Sequence, residues 1–172
     1  MRIEPIAPGS RPELAGLESR ILAERGRISP LYQVLLQSPP VAHGWEQMLS
    51  AVRNRNSLPA GLRELLILRV ATLNRAPYEF DAHVPHALAA GVPQATVDAM
   101  RMAELPADLP LGPAERAALA YAESMTRAIQ VPDAVFDGVR AHFAGQQLVD
   151  LTATVAAYNM VSRFLEALQV GY

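Results

Sequence analysis

The chain has 172 residues, 51% of them apolar and 19% charged, with a formal net charge of -2. That length fits one domain, which buries about 70% of its unfolded surface and needs no covalent staples. The near-neutral charge, without a long basic run, argues against nucleic acid as a partner, and the complete lack of cysteine removes disulfides, thiolate metal ligands and every thiol mechanism.

The periodicity is helical almost throughout, and strand alternation is hard to find. Residues 1–10, with two prolines and a glycine, read as an extended arm. Pro12 to about Gly26 predicts a first helix, with Leu14, Leu17, Ile21 and Leu22 on one stripe. A short helix over Pro30–Gln37 is stopped by Pro39-Pro40. Val41 to about Arg55 predicts a helix with Trp45, Met48, Leu49 and Val52 at core spacing. Ser57 stands as a cap for a helix running from Pro59 to Asn74. Pro77 opens a segment that stops at Gly91, and Pro85 within it should kink the helix or split it. Pro93 to about Met102 is short, and Ala103–Gly112, with two prolines, is the best loop in the chain. Helices from Pro113 to about Gln130, from Pro132 to about Phe143 and from Gln146 to Val170 complete an all-α domain over residues 1–172.

Ala60–Asn74 is apolar on nearly all sides, as a helix buried all round would be. A domain of this size rarely surrounds a helix completely, so a second copy of the chain is expected to cover part of it. No apolar stretch reaches bilayer length and the N-terminus lacks an apolar signal core, so no membrane is implied and the reading is cytoplasmic.

Ionisable residues on such apolar helices need a partner, a cavity or a task. Glu79 and His83, four residues apart, share a helix face, and His86 stays on it if the helix survives Pro85. A carboxylate beside an imidazole is a proton-transfer pair. Equally, an acid just after Pro77 is favoured by the helix dipole alone, and His83 fits a half-buried structural histidine. Glu64 lies among leucines, with neither Arg63 nor Arg69 at the i+4 spacing. It is either a catalytic acid or base, or one half of a salt bridge to another helix. Tyr78 is either an oxyanion donor or a wedge with its hydroxyl at the surface. Asn159 and Arg163 are spaced either to anchor a substrate carboxylate or to cap backbone. His43 and His142 have no motif around them and are read as structural. The separations among Glu79, His83 and His86 match metal-ligand spacing only loosely, so no metal site is expected. Phosphate-cradling glycine loops and a Gly-x-Ser-x-Gly elbow are absent from the sequence.

Leu58-Pro-x-x-Leu-Arg-Glu64, then an apolar helix, then Tyr78-Glu79-Phe80-x-x-His83 resembles the carboxymuconolactone decarboxylase family of the alkylhydroperoxidase D-like superfamily. Ser38-Pro39, Gly91-Val92 and the Ala-Tyr-Asn-Met-Val-Ser-Arg-Phe run at residues 157–164 also fit. The peroxidase branch carries a Cys-x-x-Cys pair between its glutamate and its histidine. Counted from Glu64, those cysteine positions fall on Ala76 and Glu79 and the histidine on His83, so the spacing is kept and both thiols are gone.

The resemblance implies a compact, all-α alkylhydroperoxidase D-like bundle that assembles as a homo-oligomer, a trimer or hexamer. It implies a cofactor-independent acid–base lyase acting on a small organic acid or lactone. In that reading His83 donates the proton, Glu79 orients it, Glu64 is a second acid or base and Tyr78 holds the oxyanion. Asn159, Arg163 and His86 would bind substrate. The rival from another class is a non-catalytic oligomeric binding or scaffold protein that keeps the fold. A metal-dependent enzyme using Glu79, His83 and His86 is the remaining alternative.

Overall fold

The computed structural model describes residues 1–172 and contains nine α-helices and no strand. No helix is long and apolar enough to cross a membrane. The chain divides into two compact units, Met1–Arg55 with Leu165–Tyr172, and Asn56–Phe164.

In the first unit, a 3-10 turn at Pro12–Leu14 leads into α1 (Ala15–Arg25), which is followed by α2 (Pro30–Leu35) and α3 (Pro39–Asn54). Pro39 and Pro40 open α3, besides standing beyond the end of α2, because a proline in the first turn gives up an amide that no helix would use. Leu22 and Met48, expected on core stripes, are exposed. The N-terminal arm is tied down: Arg2 N–H donates to Leu168 O at 2.8 Å, Ile6 N–H to Gln33 O at 3.0 Å, and Gly9 N–H to the Glu18 carboxylate. Buried Glu46 on α3 accepts from Tyr32 Oη, from Ser50 Oγ and, at 3.1 Å, from Arg25 Nε, so one carboxylate binds α1, α2 and α3 together. Burial, together with the Glu46 carboxylate it bonds, pushes the Tyr32 phenol well above its usual range.

The second unit is built on α4 (Ala60–Leu73), which packs on α5 (Pro77–Ala89) and α7 (Pro113–Ala128). Short α6 (Gln94–Ala99) follows α5, and α8 (Asp133–Arg140) packs on α7. Residues 146–164 of α9 (Gln146–Leu168) complete the unit. Every residue of α4 from Glu64 to Ala71 is buried within this one chain, while Ala60 is exposed and Thr72 and Leu73 are half-buried. Arg69 is the largest fully buried side chain. Its Nε donates to Glu123 Oε1 at 2.6 Å, and its other nitrogens donate to the carbonyls of Met100, Met102 and Ala103. A buried guanidinium is tolerable only with its donors filled in this way.

Two local expectations are corrected and a third holds. Ser57 does not cap α4, which starts after Pro59. Instead Ser57 Oγ and N–H both donate to Asp150 Oδ2 on α9, at 2.6 and 2.8 Å. Those bonds, the hydroxyl's first, hold the Asp150 carboxyl below its usual range. Pro85 does not split α5, which runs unbroken to Ala89. The carbonyl that loses its partner belongs to Asp81, on the exposed face, where water replaces the bond. Gly91 does close α5, at a φ of 84° that disfavours side-chain-bearing residues, while Val92 N–H reaches back to Ala87 O.

Candidate active site

About one turn into α4 stands Glu64, and nearly two turns into α5 stands His83. The two helices form a hairpin, so these positions come face to face. His83 Nδ1 lies 2.7 Å from Glu64 Oε2, and both side chains are buried. An ionised carboxylate can only accept, so Nδ1 carries the proton and Nε2 is the basic nitrogen of the ring. Glu64 Oε1 also lies 3.5 Å from Arg63 Nε, an ion pair between chain neighbours. A carboxylate as buried as this one requires such partners if it is to carry a charge.

The carboxylate at Nδ1 is therefore that of Glu64, where the spacing on α5 assigned the orienting role to Glu79. Glu79 is equally buried, and its Oε2 accepts from Ser162 Oγ on α9. The i, i+4 spacing puts Glu79 and His83 on the inner face of α5, and the carboxylate at Nδ1 comes from Glu64 on the facing helix. Tyr158, 2% exposed, sets its ring edge against His83 with centroids 5.0 Å apart and planes at 87°. His86 is exposed, but its ring centroid lies 5.6 Å from that of His83, so Pro85 does not turn it away. Tyr78 is half-buried in the first turn of α5.

Asn159 is committed within the fold, and exposed Arg163 bonds to it through Nη1. Asn159 Oδ1 accepts from Asn74 Nδ2 at 3.0 Å and from Arg163 Nη1 at 2.6 Å, while its Nδ2 donates to Thr126 Oγ1 and to Val155 O. That exhausts the amide. Arg163 Nη1 also donates to Asn159 O, so the pair ties α9 to the end of α4 and to α7. No cluster of three metal-ligating side chains forms, and Glu79, His83 and His86 do not gather into one.

Tyr158 and Ser162 were not singled out from the sequence. Their signal was available: they stand four apart on α9, like Glu79 and His83 on α5, and each touches one member of that pair. The assembled group is a buried imidazole with a carboxylate on one nitrogen, an aromatic edge at its side and a second buried carboxylate on its helix. Such a group can take up and return a proton without a thiol or a bound ion.

The model of the carboxymuconolactone decarboxylase family matches residues 39–124, half of the chain. Among solved structures, an uncharacterised peroxidase-related protein from Silicibacter sp. TM1040 superposes with a TM-score of 0.83 at 18% identity, over 98% of this chain and 90% of that one. An alkylhydroperoxidase AhpD core protein from Ralstonia eutropha JMP134 gives 0.83 at 20% identity, again over 98% and 90%. A variant of the debrominase Bmp8 in complex with a tribromopyrrole gives 0.83 at 17% identity, over 99% and 90%. No curated protein matches in sequence. At these identities the structures speak for the fold, an all-α alkylhydroperoxidase D-like one. By the family match, the chain belongs to the carboxymuconolactone decarboxylase family.

Proposed function

We propose that the protein is a cofactor-independent acid–base lyase that decarboxylates a small, carboxylate-bearing lactone or unsaturated acid. The observation that carries the reading is the buried Glu64–His83 bond of 2.7 Å across the α4–α5 hairpin. In such a substrate the carbon–carbon bond to the carboxylate breaks and carbon dioxide leaves. The electron pair passes into the conjugated carbonyl to give an enolate. Protonated His83 then delivers the Nε2 proton to carbon and regains one from water. Glu64 holds Nδ1–H and stabilises the imidazolium form that donates. Half-buried Tyr78 is the candidate donor to the enolate oxygen. The family match supports the chemistry, and the lack of cysteine separates it from thiol-based relatives. The same reading has the protein act in the cytoplasm as a trimer or hexamer.

The test is to incubate the protein with a panel of carboxylated butenolides and unsaturated diacids in deuterium oxide. Carbon dioxide release with one deuterium placed on the product carbon is expected, and His83→Ala should abolish both. A wild-type protein inert on the whole panel would overturn the lyase. The Arg63–Glu64 contact of 3.5 Å favours the rival, a binding or scaffold protein in which Glu64 is structural. That reading wins if turnover is absent and Glu64→Gln unfolds the protein.

A further inference from the structure

At the closed end of the α4–α5 hairpin lies a groove of about 370 Å³, within the size range of small-ligand pockets. Ala71, Ala76, Pro77 and Phe80 form its apolar wall, and Arg75 and Arg101 flank it. Ala71 and Ala76 each stand seven residues from the acid–base pair, from Glu64 and from His83, while Phe80 stands three residues before His83. At helical rise seven residues span roughly 10 Å and three span about 5 Å.

Both arginines are set up for a ligand. The Arg101 guanidinium carbon lies 3.8 Å from the Phe80 ring centroid, so its plane is held over an aromatic floor. One nitrogen bonds Asp81 Oδ1 at 2.7 Å, which leaves most of its N–H donors unspent. Arg75 occupies the position after α4 at which the chain turns left-handed, with φ of 57°. There Ala76 N–H returns to Ala71 O and Arg75 N–H to Thr72 O, the turn that usually carries glycine. An arginine in that slot accepts backbone strain that glycine would avoid. Its side chain is exposed and makes no ion pair within the chain. Two guanidiniums against one aspartate leave the groove positively charged.

We infer that this groove is a binding site for a small organic anion with a flat apolar body, an aryl or alkenyl carboxylate. The carboxylate sits between Arg75 and Arg101, whose planar donor edges match it, and the body lies along Ala76 and Pro77 beside Phe80. The groove lining includes neither Glu64 nor His83, and the inference does not depend on the lyase reading.

Benzoate is the probe, followed by calorimetric titration and by chemical-shift changes of the residue 71–80 amides. Saturable binding is expected, with no binding of the neutral isostere benzamide. Arg101→Gln should weaken benzoate about tenfold or more. Arg75→Gly should weaken it by a similar factor while raising the melting temperature, because it relieves the strained turn. A purely structural arginine would not move those two readouts in opposite directions. His83→Ala should leave affinity within about twofold. The inference is overturned if benzoate fails to saturate, if both arginine variants bind it like wild type, or if His83→Ala removes binding.

Discussion

His83 Nδ1 meets Glu64 Oε2 at 2.7 Å although the two residues are nineteen positions apart, because the tight turn after α4 folds α5 back against it. The chain ends α4 at Leu73 and starts α5 at Pro77, so each inward residue on one helix faces one on the other.

Turnover in the proposed reaction should follow that bond. Glu64→Gln and His83→Ala are each expected to lower the rate by about 10²–10⁴-fold. The double variant should be little worse than the poorer single, as for groups that act together. Glu79→Gln should cost less, because its carboxylate is bonded to Ser162. A rate series on purified variants checks the order, and a Glu79 effect larger than the Glu64 effect would reverse the assignment.

Ser162→Ala should lower stability by about 1–3 kcal/mol, the cost of stripping a donor from a buried acceptor. Urea midpoints measure it. A loss under a few tenths would mean that Glu79 is adequately served elsewhere.

Arg69→Met removes the donor to Glu123 and to the carbonyls of Met100, Met102 and Ala103. Glu123 can turn towards water, but the inner carbonyls cannot, so a loss of about 3 kcal/mol is expected. Arg69→Lys should recover only part of it, since an ammonium lacks the planar fork. Equal stabilities of wild type and Arg69→Lys in urea would contradict this.

Acid should erase the Ser57–Asp150 contribution. The folded Asp150 carboxyl titrates below its unfolded value of about 3.9, chiefly through the Ser57 hydroxyl, so the ionised form favours the fold. The gain is complete above about pH 4 and is lost as pH falls through the folded value. The stability gap between wild type and Ser57→Ala should therefore be full near pH 7 and shrink by about pH 3. A gap that widens in acid would refute the sign.

With no thiol in the chain, peroxide consumption with dithiol reductants should stay at the uncatalysed rate. A coupled peroxidase assay checks this. Sustained turnover would require a mechanism for which the chain carries no nucleophilic sulphur.

The fold was legible because its signals are local. Prolines at helix starts, the glycine after α5 and the 3.6-residue stripes placed the helices, with ends off by a few residues. Spacing along α5 told which residues share a face, but it cannot say which acid from a neighbouring helix reaches the ring. That depends on the hairpin register, which brings Glu64 to Nδ1. That Pro85 leaves α5 unsplit was not legible, because its penalty depends on whether the freed carbonyl is open to water, a matter of burial. Arg69 looked like a bystander on an apolar helix, because its acceptors are main-chain carbonyls some thirty residues on, and carbonyls leave no mark in a sequence. Asn159 and Arg163 were correctly seen as neighbours, and only the structure shows their polar groups turned on each other and on the backbone.

The joining of Glu64 to His83 by adjacent helices also bears on how the chain reaches its folded state. Closing a loop of about twenty residues costs far less entropy than bringing distant segments together, so contacts inside this hairpin are open to early formation. The other acid differs: Glu79 gets its partner from α9, whose Ser162 lies 83 positions downstream. During synthesis the imidazole can meet this carboxylate as soon as α5 has emerged, whereas the Ser162–Glu79 bond must wait for nearly the whole polypeptide.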